Sequence, residues 1–259
     1  MSNPIHMGLL VGPVVAVPAP RAVMEALTSV QVNTYSGNTA SGFELTFGLD
    51  KRSPLQTLFL LTGGSTAPLM RVIITVTVKG TPHVLIDGVM THHQVQMGAD
   101  GNSTLVVQGK DLTALLEFLD LSGFPYPAMP PVARVALIVA KYAWLGIVPK
   151  VIPSLFEDIP LPIESIPQQK GADLNYIREL ANDVGYVFYM EPGPVAGISF
   201  AYWGPELRFG APQPALNVDM DAHTNVESMS FRFDKEKKEL MRVENRCEVM
   251  STSLIGEVI

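Results

Sequence analysis

The chain has 259 residues, with 18 Lys or Arg against 25 Asp or Glu and a net charge of −7. Charged residues are 17% and apolar residues 47% of it, where an average soluble domain carries roughly 25% charged. This excludes intrinsic disorder and argues against electrostatic nucleic-acid binding, which needs clustered Lys and Arg. The single cysteine, Cys247, excludes an internal disulfide framework and a cysteine-rich zinc module.

At the N-terminus Gly8 to Val17 is uncharged and apolar. A cleaved signal peptide is disfavoured there, because no Lys or Arg precedes Arg21 and Pro13, Pro18 and Pro20 punctuate the segment. No segment reaches the roughly 18 apolar residues of a membrane span, and the best run, Val135 to Ala140, is bounded by Arg134 and Lys141. So apolar a chain is expected to bury surface in protein–protein interfaces.

Residues 27 to 110 have the period of strands. Leu27–Tyr35 carries Val30 and Val32 in alternation, and Gly42–Leu49 carries Phe43, Leu45, Phe47 and Leu49 on one face. Met70–Lys79 places Val72, Ile74, Val76 and Val78 on one side, which predicts a core face, and Ile73, Thr75 and Thr77 on the other. His83–Val89, Thr91–Met97 and Ser103–Gln108 continue the pattern. Tight turns are predicted at Lys79-Gly80, Asp87-Gly88 and Asp100-Gly101. Short antiparallel strands at this spacing predict a small barrel or sandwich.

From Asp111 the period lengthens. Asp111 is read as the cap of a helix with Leu112, Leu115, Leu116 and Leu119 on one face. Gly123 to Pro131 is a proline-rich stop, and Pro130 and Pro131 suit the start of a helix over Val132–Leu145, ended by Gly146. Pro149 to Pro167 reads as a loop or edge segment. Asp173 is read as the cap of a third helix, with Leu174, Ile177, Leu180, Ala181 and Val184 as its apolar stripe and Gly185 as its end. Tyr186–Met190 and Ile198–Tyr202 read as a hairpin. Strand patterns return at Ala215–Met220 and Val226–Phe233, and Leu240–Val249 is a further strand candidate. The order is β-rich, α/β, β-rich.

Catalytic patterns are largely missing. Gly109-Lys110 lacks the earlier glycine of a phosphate loop, and there is no zinc-binding His-Glu-x-x-His helix or nucleophile-elbow serine. His92 and His93 are adjacent, so on a strand they point to opposite faces and cannot share a metal. Asn217, Asp219, Asp221, His223 and Asn225 alternate and would share a strand face. A row of ligands along a strand diverges, so a solvated or subunit-facing polar face is favoured over a divalent metal site. Cys247 beside Arg246 is read as a strand thiol in a reducing compartment rather than a reactive one. Asn102-Ser103-Thr104 is a sequon with no expected role. Tyr202 and Trp203 read as a core or subunit anchor in preference to a sugar-stacking platform. No catalytic residue, metal or cofactor is therefore expected.

Several segments taken together resemble phage tail hub proteins of the late control gene D type. They are GPVVAVPAPRAVMEALTSVQV and SGFELTF, then VLIDGVMTHHQVQMGADGNSTLVVQGKDLTALL, then ARVALIVAKYAWLGIVP, IPQQKGADLNYIRELANDVGYVFYMEPG and TNVESMSFRFD. The resemblance covers nearly all of the chain from residue 8 to about 233, and the order and spacing of the motifs carry it. It implies an α+β, mainly β chain with two tube-like antiparallel β-barrels and an α/β unit between them. The expected divisions are an N-terminal arm and first barrel over 1–111, the α/β domain over 112–203 and the second barrel segment over 204–259. The closing strands of that barrel are either contributed by Leu240–Ile259 or missing from this chain.

The implied function is structural: a baseplate hub of a contractile phage tail or contractile injection system, similar to the hub region of VgrG spikes. Such a hub is a homotrimer that joins the hexameric tail tube to the trimeric spike and touches other baseplate proteins. It is assembled in the bacterial cytoplasm without a signal peptide. It makes no sequence-specific nucleic-acid contact. Ile73, Thr75, Thr77, Tyr202 and Trp203 are the candidate interface residues. The alternatives are a tail-tip peptidoglycan hydrolase, which would need a carboxylate pair or zinc cluster in a cleft, and a carbohydrate-binding module built on Tyr202 and Trp203.

Overall fold

The computed structural model describes residues 6–49, 69–97, 103–154 and 166–206, which lie in one compact unit, Met1–Glu206. The strand candidates Ala215–Met220, Val226–Phe233 and Leu240–Val249, the alternating Asn217–Asn225 row, Cys247, the sequon at Asn102 and the Asp100-Gly101 turn lie outside the described residues, in whole or in part.

The first half of the unit is a seven-stranded antiparallel sheet. Its strands are β1 (His6–Gly12), β2 (Val17–Pro18), β3 (Leu27–Asn33), β4 (Gly42–Leu49), β5 (Arg71–Val78), β6 (Thr81–Met97) and β7 (Ser103–Asp111), in spatial order β2-β1-β5-β6-β7-β4-β3. One face closes over a single core to which β1, β4, β5, β6 and β7 all contribute. Leu9, Val11, Phe43, Leu45, Phe47, Val72, Ile74, Ile86, Leu105 and Val107 are among its members. Helix α1 (Arg21–Ala26) plugs this core with Val23, which is fully buried. Among the described residues the edge strands β2 and β3 do not pair with each other, and the sheet forms a curled half-barrel.

Three sequence expectations change here. Strand β1 occupies part of the apolar N-terminal segment, and its Leu9 and Val11 pair with Ile74 and Val72 of β5. Asp87-Gly88 is not a turn but the middle of the 17-residue strand β6. Irregularities at Ile74/Thr75 and Met90/His92 shift the register of β6 against its neighbours, and such bulges break the period-2 pattern that made one strand read as two. Gly88 is required for close approach rather than for a turn, since a Cβ there would lie 2.3 Å from the Lys110 carbonyl oxygen. The predicted core face of β5 also ends early: Val72 and Ile74 are buried, Val76 is half-buried and Val78 is exposed. The hairpin at Lys79-Gly80 therefore extends past the core.

The second half is an α/β lobe. Helices α2 (Thr113–Leu116), α3 (Pro131–Ala140) and α4 (Asp173–Asp183) accompany a three-stranded sheet of β8 (Ile147–Val151), β9 (Tyr186–Pro192) and β10 (Ser199–Pro205), in order β8-β10-β9. Helix α3 starts at the predicted proline pair, with Pro130 as N-cap. It stops at Ala140, short of the expected Leu145; a 3₁₀ turn over Ala143–Leu145 follows, and Gly146 closes it at φ 78°. Strand β8 runs through the segment read from Pro149 as a loop or edge, and it pairs parallel with β10. Ser199 N donates to Gly146 O and Ile152 N to Trp203 O. The even-numbered residues of β8 therefore direct their backbone groups at β10, and Pro149, which has no N–H, sits where the strand faces outward. The core of the lobe includes Leu112, Leu116, Ile138, Ile147, Leu174, Ile177, Phe188 and Trp203.

Asp173 is the first residue of α4 rather than its cap. Ala172 holds the N-cap position, and the Asp173 side chain is fully buried. A carboxylate there is favourably placed for the helix dipole, and its oxygens are taken up by side chains of the lobe.

Candidate functional site

Among the described residues, two concave regions and a half-buried sheet face are candidate places for this unit to meet something else. The first concavity lies between the curled sheet and the α/β lobe. It has a volume of about 240 Å³ and is lined in part by Tyr35, Ser41, Asp87, Asp111, Tyr189 and Ser199. At its wall Arg71 holds Asp87 in a two-point pair, Nε to Oδ1 at 2.7 Å and Nη2 to Oδ2 at 2.6 Å. Both residues are buried. The same guanidinium donates to the carbonyl oxygens of Gly197 at 3.1 Å and Val14 at 3.4 Å, and Ser199 Oγ donates to Asp87 Oδ2 at 3.2 Å. This pairing geometry is available to Arg and not to Lys.

Asp111 closes the other side. Its carboxylate accepts from Ser41 N at 2.7 Å and Thr113 N at 3.0 Å, and from the Thr113 hydroxyl. Burial pushes its carboxyl above the usual range, opposed by those hydrogen bonds and by the Arg178 charge. The sequence expectation that Asp111 caps the next helix is thus half right. Leu112 holds the N-cap position of α2, while Asp111, one residue earlier, takes up the first helical N–H and also ties in the start of β4. Asp87 and Asp111 are thus occupied in holding backbone and side-chain donors of the fold.

A second polar cluster lies inside the α/β lobe. Lys141 Nζ is 2.8 and 2.7 Å from the two Asp173 oxygens, and Tyr142 OH and Gln169 Nε2 each donate to Asp173 at 2.7 Å. Gln169 Oε1 accepts from Tyr126 OH at 2.7 Å, and the Tyr126 ring stacks on Tyr176 with centroids 5.8 Å apart. Burial, then the Asp173 charge, pushes the Tyr126 phenol up to about 12. Burial and the hydrogen bond to Asp173 push Tyr142 up as well. The network joins α3, α4 and the strap before α4, where Tyr126 N bonds to Pro167 O and Gln169 N to Phe124 O.

Beside this network lies an apolar concavity of about 230 Å³ lined by Leu121, Phe124, Tyr126, Leu137, Ile138 and Lys141. Leu137 and Phe124 are partly open on its rim, and Trp144 is exposed further along the same chain segment.

The candidate interface residues separate clearly. Ile73, Tyr202 and Trp203 are buried within the chain. Ile73 lies opposite Asp87 on the sheet face that meets the lobe. Trp203 sits in the lobe core edge-on to Tyr186, at 4.9 Å. Tyr202 donates its hydroxyl to Pro205 O at 2.8 Å. None of the three has a side-chain face to offer a neighbouring subunit, and neither aromatic can serve as a sugar platform. Thr75 and Thr77 are half-buried; Thr75 donates to Gly8 O at 3.3 Å. His92 and His93 lie on one strand, and among the described residues no group of three or more His, Cys, Asp or Glu is placed to hold a metal.

Sequence reasoning missed Arg71, Asp87, Gln169 and the inward turn of Asp173. A signal for the first pair was present: Asp87 interrupts the apolar run VLIDGVM and Arg71 interrupts LMRVII, and charges inside buried strands come in pairs.

No protein-family model and no curated protein matches the chain. Among solved structures it is similar to the tail protein from Neisseria meningitidis MC58, with a TM-score of 0.52 and 15% identity over 90% of this chain and 61% of that one. It also aligns with the Francisella PdpA–VgrG complex, half-lidded, at TM-score 0.45 and 13% identity over 78% of this chain and 31% of that one. An Escherichia coli protein described as a component of the type VI secretion system aligns at TM-score 0.39 and 12% identity, over 68% and 48% of the two chains. The chain spans less than two thirds of the length of each. The first of these likenesses shows a fold shared with that protein.

Proposed function

We propose that this chain is a structural hub of a contractile tail or contractile injection particle, of the late control gene D type, a homotrimeric adaptor between the tail tube and the spike. The observation that carries the reading is the fold shared with the Neisseria tail protein along 90% of this chain. The low charge content and the exposed apolar residues, among them Trp144, Met97 and Phe118, support a role in assembly. The role is structural rather than enzymatic: the buried carboxylates hold the fold together. Thr75 and Thr77 are proposed as contacts between subunits, since they alone of the five candidates keep side-chain surface.

The test is purification of particles from the organism that makes the chain, with mass measurement of the isolated protein. Tube, sheath and spike proteins in the same particle, and a concentration-independent trimer in solution, are the expected results. A chain that is absent from such particles overturns the reading.

A further inference from the structure

Among the described residues Arg134 is a buried cation without an acid. It lies on α3, is 8% exposed, and takes part in none of the ion pairs of those residues. A guanidinium carries five N–H donors. Nη1 donates to the neutral Tyr176 hydroxyl at 2.8 Å, and Nε is buried with no hydrogen-bond partner. The helix adds to the deficit. Arg134 is its fourth residue, its first turn carries no acidic residue, and the N-terminal end of a helix is itself positive. In a chain of net charge −7 this is a local excess of positive charge, and burying such a charge is costly unless something pairs it.

Arg134 stands at one end of the apolar concavity beside α3. Leu137 and Ile138, which line it, follow Arg134 by three and four residues and so share its helix face. Lys141, one turn further along, lies at the other end, where Asp173 neutralises it. The Tyr176 ring that meets Arg134 stacks on Tyr126 of the cavity wall. Burial and the Asp173 charge raise the Tyr126 phenol and the Arg134 charge opposes them, so its field reaches the wall. Arg134 and Lys141 against Asp173 leave one positive charge beside an apolar space.

We propose that this concavity binds a small carboxylate with an apolar body, the carboxylate pairing with Arg134 and the body filling the space between Leu121, Phe124 and Leu137. Charge and size select the ligand. A guanidinium matches a carboxylate in two-point geometry, and a single uncancelled charge favours a monoanion over a phosphate. The volume of about 230 Å³ is below the roughly 300–1,000 Å³ of pockets for drug-sized molecules, so it suits a short chain or a single ring. Phe124 and Leu137, 47% and 43% exposed, leave the mouth open, so a dissolved ligand enters without unfolding. The inference is independent of the proposed hub role.

The test is titration of the full-length chain with octanoate, octanol and octylammonium, followed by calorimetry and by the methyl NMR signals of Leu137 and Ile138. Octanoate is expected to bind and to shift both signals, octanol to bind about tenfold more weakly or worse, as for a lost charged hydrogen bond, and octylammonium not to compete. Arg134→Met should lower the octanoate affinity to that of octanol and leave octanol unchanged, which separates recognition of charge from packing. Leu137→Asp places a like charge on the rim and should weaken octanoate but not octanol relative to Leu137→Asn, so this pair decides the matter even if Arg134→Met fails to fold. No binding of octanoate, or equal binding of octanoate and octanol, overturns the site and leaves the hub reading standing. Methyl shifts spread over the whole chain rather than confined to the cavity would mark surfactant adsorption only and overturn it likewise.

Discussion

Arg71 and Asp87 reach each other diagonally across neighbouring strands, joined at 2.7 and 2.6 Å and buried where the curled sheet meets the α/β lobe. Burying both ions costs solvation, which the paired geometry and the bonds to Gly197, Val14 and Ser199 offset. Removing one partner leaves the other charged and unpaired. Arg71→Met should therefore destabilise the unit by about 3–5 kcal/mol, and the double variant Arg71→Met/Asp87→Leu should recover most of that loss. Urea unfolding measures both. Equal stability of Arg71→Met and the wild type would show that the pair does not hold the two halves together.

The tyrosines around Asp173 make a pH prediction. Tyr126 has its folded-state pKa raised to about 12 by burial and the nearby Asp173 charge, while an unfolded tyrosine ionises near 10. A raised folded pKa contributes stability that is fully present below the unfolded value and is lost as pH rises through the folded one. Ultraviolet titration should thus show Tyr126 and Tyr142 still protonated at a pH where exposed phenols have ionised, and stability should fall above about pH 10. In Asp173→Asn the Tyr126 phenol should titrate lower. An unchanged Tyr126 titration in that variant would show that the Asp173 charge does not reach it.

Gly109 lies under the Phe43 ring. A Cβ there would come 2.2 Å from Phe43 Cζ and 2.5 Å from the Val89 carbonyl oxygen, so Gly109→Ala must push β7 from β6 or turn Phe43 out of the core. The expected loss is about 1–3 kcal/mol, the usual range for overpacking. Gly37, with open space around it, is the control, and Gly37→Ala should leave the thermal midpoint within about 2 °C, as a surface substitution does. If the two variants melt together, the register of β6 against β7 is wrong.

Thr75→Lys tests the proposed contact face. Thr75 lies across Gly8 of β1, with its Oγ1 2.6 Å from where a Gly8 Cβ would stand. A lysine can extend past that glycine to solvent, so the subunit should stay folded while particle assembly falls. Complete tails at normal yield from Thr75→Lys would remove this face from the interface.

How much of this was legible follows from what each pattern reports. Regular period-2 runs such as Phe43, Leu45 and Phe47 placed β4 correctly, because one face of it is core and the other is polar. Helix α3 was readable from Pro130-Pro131, whose fixed φ suits a helix start. The long strand β6 was not, because its two register shifts break the alternation and because Asp87-Gly88 has the composition of a turn. Only the third dimension shows that Gly88 is small to admit the Lys110 carbonyl and that Arg71 reaches Asp87 from the neighbouring strand. Tyr202 and Trp203, read as a core or subunit anchor, lie buried in the lobe, which is the core half of that reading. Aromatic composition reports apolar contact, and in this chain the contact is internal.

Strand β6 serves both halves of the unit: Ile86 belongs to the core of the curled sheet and Val89, three residues on, to the core of the lobe. A tug on the lobe is therefore delivered into the middle of a strand flanked by β5 and β7. Along the strand direction the ladder bonds on both sides bear that load together rather than one after another. Separating the lobe from the sheet therefore strips Val89 from its packing at the centre of the sheet rather than at an edge.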